Sequence, residues 1–378
     1  MRNKFLFTVV LISVCLLIFI AKTFAQEEYK TESFKVSKGG TLKIETSGGD
    51  IQVKTGNDNE VKLVYEDDDE YSGVTVHQDG NNITIKSDDY IDFEITVPSE
   101  YSLSLNTAGG DIEVLNNIKG RVKINTSGGD IKLKDVNGEL TAITAGGDIR
   151  CGNINGDAEF SSGGGDVVVG KVEGECKVST GGGNVVVENV TKSLTVSTGG
   201  GNVECGNIGN DLKIVTGGGN ISANNISGAM TITTGGGNIS GTGVSKGGTV
   251  VTGAGNVDLN NLSGNVTITS GAGNVMAEFV SIGNKESEIL SGYGNITIYI
   301  PENAKVTIDA SVKFAEGNVW SVNKKEISET IKSEFKPSSE DVNQKEGEFN
   351  AVYNVNGGGT KIYLQTSIGF IEIKKLKR

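Results

Sequence analysis

The chain has 378 residues, with 34 Lys and Arg against 47 Asp and Glu and a formal net charge of −13. That balance argues against nucleic acid or an anionic membrane surface as partner, because both reward positive charge. Glycine is abundant (55 residues) and proline scarce (3), yet glycine does not recur at every third position, which excludes a collagen-like chain.

Arg2 and Lys4 precede an apolar run over 5–21, and Thr23-Phe24-Ala25 follows Lys22. A basic start, an apolar stretch and small residues at minus three and minus one predict a secretory signal over 1–25, cleaved after Ala25. The alternative is an uncleaved anchor, since the run approaches membrane-spanning length. Cys15 does not mark a lipoprotein, because Val14 precedes it where a small residue is wanted and more apolar sequence follows. Removing 1–25 takes the net charge from −13 to −16. No second apolar span follows, so no membrane insertion is expected after cleavage.

Residues 26–110 read as an N-terminal β cap and first turns. They contain one Thr46-Ser47-Gly48-Gly49-Asp50 copy and an acidic run, Glu66 to Glu70, expected as a solvated loop. Val74-Thr75-Val76 and Ile83-Thr84-Ile85 flank Gly80-Asn81-Asn82 as a hairpin. Ile95-Thr96-Val97-Pro98 closes this part, and Ile298-Tyr299-Ile300-Pro301 matches it at the far end of the array.

Residues 111–300 carry the decisive pattern. An Asp or Asn ends each Gly-rich triplet, and from Asp130 to Asn274 the anchors stand 18 residues apart; the outer steps, from Asp111 and to Asn295, are 19 and 21. One residue after each anchor comes Ile or Val, and three after it a second small or apolar residue, giving a short strand of period two. Another apolar pair lies ten and twelve residues after the anchor, as in Leu212 and Ile214. An 18-residue unit cannot bury its apolar face alone, but stacked copies can. The fold class predicted is therefore all-β: a single-stranded parallel β-solenoid (β-helix) of 18-residue turns with capping β segments. Ten turns at strand spacing make a rod on the order of 50 Å. All three prolines lie outside the array, as a ladder that cannot spare a backbone donor requires.

A hydroxyl column stands four residues before the anchors, from Thr126 and Thr144 to Thr252 and Ser270. Its parity places it inward, where it is expected to satisfy backbone groups at the glycine corner. Anchor Asn residues are expected to stack as an amide ladder. Residues 301–378 read as a C-terminal β cap with a charged surface loop or short helix at 323–350.

The Thr-Ser-Gly-Gly-Asp-Ile and Thr-Gly-Gly-Gly-Asn-Ile units, with the Pro-terminated strands, resemble the bacterial "putative adhesin" family, a β-strand-repeat domain of unknown function. The resemblance covers nearly all of the chain after residue 25. It implies export and a β-solenoid, and it supplies no catalytic motif.

Three chemistries are open to these residues. Cys151, Cys176 and Cys205 are read as small core residues without a disulfide or metal; two of them share a column about 14 Å apart at strand spacing. Calcium is the one cofactor considered. Asp111, Asp130, Asp148 and Asp166 stack like charges, at about 0.9 kcal/mol per neighbour in water, which a cation could relieve. However, one acid per turn, replaced by Asn from 184 onward, lacks the carboxylate pairs calcium wants. An outward Thr-x-Thr surface is matched at Thr231/Thr233 and Thr267/Thr269, and interrupted by Glu159, Lys177 and Lys213. The lone His77 has no motif around it. The reading is an exported structural and interaction protein of the cell envelope, secreted or surface-associated, adhesin-like and not an enzyme, with a glycan or protein as ligand. The alternatives are a carbohydrate-active β-helix enzyme and a cation-stabilised surface scaffold.

Overall fold

The computed structural model describes residues 29–66, 73–313, 328–343 and 347–377. The signal segment 1–25 and residues 67–70 of the acidic run lie outside them. Every element described is a β-strand. Among the described residues no helix is long and apolar enough to cross a membrane.

Each 18-residue unit forms one coil with two strands. In the coil anchored at Asn202 these are Val203–Ile208 and Leu212–Thr216. Period-two alternation turns Val203, Cys205, Ile208, Leu212 and Ile214 inward, all at most 1% exposed. Each such aliphatic contributes roughly 1.5–3 kcal/mol of gross burial free energy. Successive coils pair in parallel and in register: Val203 with Ile221 in one sheet, Leu212 with Met230 in the other. The result is a solenoid that has, among the described residues, seventeen strands in its first sheet and eighteen in its second. Among the described residues the second sheet stays open, because Thr75–Asp79 and Ser339–Asn343 each pair on one side only.

The glycine corner is set by close approach between coils. At the last glycine of the triplet, a Cβ on Gly201 would collide with the carbonyl oxygen of Gly183 in the coil before; Gly183 and Gly219 stand alike. Only a residue without Cβ lets the coils approach to strand spacing there.

Both ends are interleaved. The coil of Gly40–Gly48 and Ile51–Thr55 is not terminal. It lies between the coil of Asn82–Tyr90 and Phe93–Val97 on one side and that of Tyr101–Thr107 and Ile112–Val114 on the other. After Val97 the chain therefore passes over a whole coil, at Pro98. The C-terminal end repeats the device. Thr360–Ile368 and Ile371–Leu376 insert between the coil ending at Pro301 and the strands Val306–Lys313 and Ile331–Ser333. Proline supplies no N–H, so each crossing starts where no ladder bond is surrendered.

The predicted hairpin is present, with Asp79 opposite Asn82 and Gly80 at φ 56°. The segment 323–350, expected as a loop or short helix, instead contributes strands. Ile331–Ser333 pairs in parallel with Ile371–Ile373, and Ser339–Asn343 runs antiparallel to Glu348–Val352 as the outer edge of the second sheet. Its charge suits that place, since Glu340 and Asp341 on an open edge oppose pairing with another chain.

Candidate functional site

The Asp/Asn anchors form one unbroken ladder carried by backbone N–H groups, and the expected amide stacking is present at Asn184 and Asn202, whose Nδ2 atoms bond Asp166 Oδ1 and Asn184 Oδ1 at 3.2 Å. The backbone N–H of each anchor donates to the Oδ1 of the anchor one coil before. Asp111 bonds Asp50 at 2.8 Å, Asp130 bonds Asp111 at 2.7 Å, Asp148 bonds Asp130 at 2.9 Å and Asp166 bonds Asp148 at 2.8 Å. The series continues through Asn184 and Asn202 to Asn295 and ends where the Phe370 N–H bonds Asn295. It starts at Asp92, whose Oδ1 accepts from Asp50. Such a bond needs one side-chain oxygen, which Asp and Asn both supply, so the two interchange along the column.

The four acids considered for a cation thus stand together, with Oδ1 of each engaged. Oδ2 of Asp148 faces Arg150 at 2.9 Å and Oδ2 of Asp130 faces Lys132 at 3.7 Å. Among the described residues no group of three or more His, Cys, Asp or Glu could hold a metal ion. The hydroxyl column does what its parity predicted. Thr198 Oγ1 donates to Gly183 O at 3.0 Å and accepts from the Gly201 N–H at 3.2 Å, and Thr144 and Thr180 do likewise. Thr252 Oγ1 is buried without a partner. Cys151, Cys176 and Cys205 are buried free thiols, and burial pushes each up to about 12. His77 is exposed.

A site that the sequence reading missed lies on the second corner, between the two strands of a coil. In most coils from Val167 onward the first strand runs unbroken to the sixth residue after the anchor, as in Val167–Val172, while that of Ile239–Thr242 stops at the fourth. In the three coils before Val167, the strand stops at Val114, Leu133 and Cys151. It resumes only as a short third ladder, where Ile118 pairs with Val136, Val136 bridges Ile154 and Ile154 bridges Val172. Those aliphatics face inward at no more than 2% exposure. The residues on either side of them face outward and form two rails along the solenoid axis. One rail is Asn117, Asp135, Asn153 and Lys171; the other is Glu100, Lys119, Asn137, Asn155 and Glu173. The rails border a groove of 620 Å³.

The groove's hydrogen bonding is incomplete on its outer side. On the first rail each oxygen holds the next coil: Asp135 N–H to Asn117 Oδ1 at 3.2 Å, Asn153 N–H to Asp135 Oδ1 at 2.7 Å, and Lys171 N–H to Asn153 Oδ1 at 3.0 Å. That leaves Nδ2 of Asn117 and Asn153 and Oδ2 of Asp135 directed to solvent. On the second rail Asn155 Nδ2 donates to Asn137 Oδ1 at 3.2 Å, leaving Asn137 Nδ2 and Asn155 Oδ1 unused. Farther along the first rail's column the amides also bond one another. Asn207 Nδ2 bonds Asn189 Oδ1 at 2.6 Å, and Asn225 Nδ2 bonds Asn207 Oδ1 at 2.7 Å. Charges close both ends of the groove as pairs, Lys119 with Glu100 at 3.0 Å and Lys171 with Glu173 at 2.5 Å.

Residues 40–193 and 188–350 each match the model of the Toastrack DUF4097 family. Among solved structures, a putative adhesin from Bacteroides fragilis NCTC 9343 is 15% identical, over 72% of this chain and 97% of its own, with a TM-score of 0.25. A putative cell adhesion protein from Clostridium sporogenes ATCC 15579 is 9% identical, over 92% and 100%, at a TM-score of 0.16. A putative lipid binding protein from Parabacteroides distasonis ATCC 8503 is 9% identical, over 93% and 98%, at a TM-score of 0.22. None of the curated proteins matches the chain.

Proposed function

The chain belongs to the Toastrack DUF4097 family, and from that premise we propose that it is an exported, adhesin-like structural and interaction protein of the cell envelope that binds through its solenoid flank. The observation that carries the reading is the groove. A stack of identical coils has no structural need for interrupted first strands and outward amides left unpaired. Here three successive coils have the first strand interrupted and outward amide groups left unpaired beside it. Rigid neighbours on both sides hold those groups in place, so binding forfeits little ordering entropy. The carboxylates Glu100 and Glu173 are tied to lysines, and Asp135 bonds the next coil through Oδ1. That disposition suits recognition better than the paired acid and base that glycoside cleavage uses.

The test uses the full chain. It is incubated with isolated envelope polysaccharides and with whole cells, while retention and the release of reducing ends are followed together. Retention without turnover is the expected result. Hydrolysis without retained ligand would replace this reading by the enzyme. Export predicts a mature N-terminus at Gln26, readable by sequencing the protein recovered outside the cytoplasm.

A further inference from the structure

We infer that the groove between the Asn117–Lys171 and Glu100–Glu173 rails binds an uncharged glycan chain laid along the solenoid axis. This rests on the reading of the protein as a surface binder and names the class of its ligand.

The chemistry of the rails decides the class. Their unpaired atoms are three amide N–H2 groups (Asn117, Asn137, Asn153), one amide oxygen (Asn155) and one carboxylate oxygen (Asp135). Donors and acceptors are mixed and almost all neutral. A sugar ring presents the same mixture, because each hydroxyl can donate and accept. An anionic polymer would want several free cations, and the two lysines present are already held by Glu100 and Glu173. A cationic ligand would want free carboxylates, of which only Asp135 Oδ2 is open. An extended peptide added to a sheet needs an exposed strand edge, and the backbone here is paired to the coils on both sides. The rails also repeat at the coil spacing, about 4.8 Å, so a chain of similar rings meets an amide at each step. At the next coil Lys171 and Glu173 replace the amides, which limits the contact to the three coils of interrupted strand.

The experiment is a titration of the full chain with neutral oligosaccharides (gluco-, manno-, galacto- and xylo-series of four or more rings), with alginate and heparin as anionic controls. Two variants accompany the wild type. Asn137→Ala/Asn155→Ala removes a side-chain pair that holds no backbone group, so the fold is retained. Asp135→Asn keeps the oxygen that accepts from Asn153 and exchanges only the outer one. A neutral series that binds the wild type, loses at least tenfold in affinity in the double variant and shows little dependence on salt is the expected result. Binding confined to the anionic controls, or neutral binding unchanged in a double variant of native melting temperature, overturns the inference. Capture of whole cells separates the two levels. If both wild type and double variant still bind cells, the binder reading survives and the groove assignment falls; if neither binds cells or glycans, both fall.

Discussion

The glycine triplet has two kinds of position, and a pair of adjacent substitutions separates them. Gly200 has an ordinary φ and nothing within 4 Å of where a Cβ would stand, whereas a Cβ on Gly201 would meet the Gly183 carbonyl. In Gly200→Ala the folded state accepts the methyl and the unfolded chain loses freedom, so stability should rise by about 0.4–1 kcal/mol. Gly201→Ala must instead force two coils apart. The bonds nearest the intrusion are Asn202 N–H to Asn184 Oδ1 at 3.0 Å and Thr198 Oγ1 to Gly183 O at 3.0 Å. Each is worth about 1 kcal/mol, with a further 1–3 for a buried group left unpaired, and overpacking strain adds about 1–3. A loss of roughly 3–5 kcal/mol follows, about 6–10 °C in melting temperature at near 2 °C per kcal/mol for a long chain. Thermal and urea unfolding followed by far-ultraviolet circular dichroism reads both variants. Equal effects at the two positions would refute the steric account of the corner.

Three further outcomes follow from the ladders and the core. Thr216→Val removes the hydroxyl that bonds Gly201 O and receives the Gly219 N–H, and should cost about 1–3 kcal/mol in urea unfolding, whereas Thr252→Val, which removes an unpartnered hydroxyl, should be neutral or stabilising. Asp130→Asn/Asp148→Asn keeps every ladder acceptor and relieves like charge, so stability should stay within about 1 kcal/mol of wild type. Calcium and chelator should move the wild-type melting temperature by less than about 1 °C, and a rise of several degrees that disappears in the double variant would assign a cation to the column. Burial holds the three thiols protonated up to about 12, while unfolded thiols ionise near 8.5. The unfolded state therefore releases protons first, and stability should fall as pH rises above about 8.5, by roughly 2 kcal/mol per thiol at pH 10. Replacing all three by Ala should flatten that alkaline limb of the urea midpoint.

Much of this architecture is legible in the sequence because repetition multiplies weak local signals. One Val-x-Val is ambiguous, but nine in register 18 residues apart assign a face, a strand and a neighbour at once. The inward hydroxyls were legible for the same reason, since parity alone places Thr198 on the face of Leu194 and Val196. The ladder's true ends were not. Asp92 and Phe370 carry no glycine triplet, and membership depends on a backbone N–H reaching a side-chain oxygen one coil away. The groove was missed because its signal lies in two outward columns: the one five residues after the anchor is Asn through much of the array and reads as a ladder, and only the one seven after it changes. Read down the column seven after the anchor, Asn137 and Asn155 stand out from Gly209, Ser227 and Ser245. The strands within 323–350 were hidden by their edge position, where one flank is open and charge replaces alternation.

The interleaved ends explain why a repeat that could extend indefinitely stops where it does. A solenoid coil exposes a full edge of N–H and C=O groups, which invites another copy to continue the ladder. Here the outermost coil at each end is not the last in chain order but one the chain reached by crossing a neighbour. Its outer edge then meets an antiparallel strand, Glu60–Glu66 against Phe93–Val97 at one end and Glu348–Val355 against Val306–Lys313 at the other. Antiparallel pairing reverses the chain and breaks the coil register, so no further parallel coil can dock in phase. The inserted coils also depend on partners 41 and 72 residues away, as in Leu42 with Ile83 and Gly294 with Thr366. Such contacts carry the loop-closure cost that slows folding. The regular array between them is built from neighbours 18 residues apart and needs no such closure. It follows that the array should assemble first and the ends lock onto it. The groove at Asn117–Lys171 lies within that early rigid part, which is where a site that must hold its geometry against an extended ligand belongs.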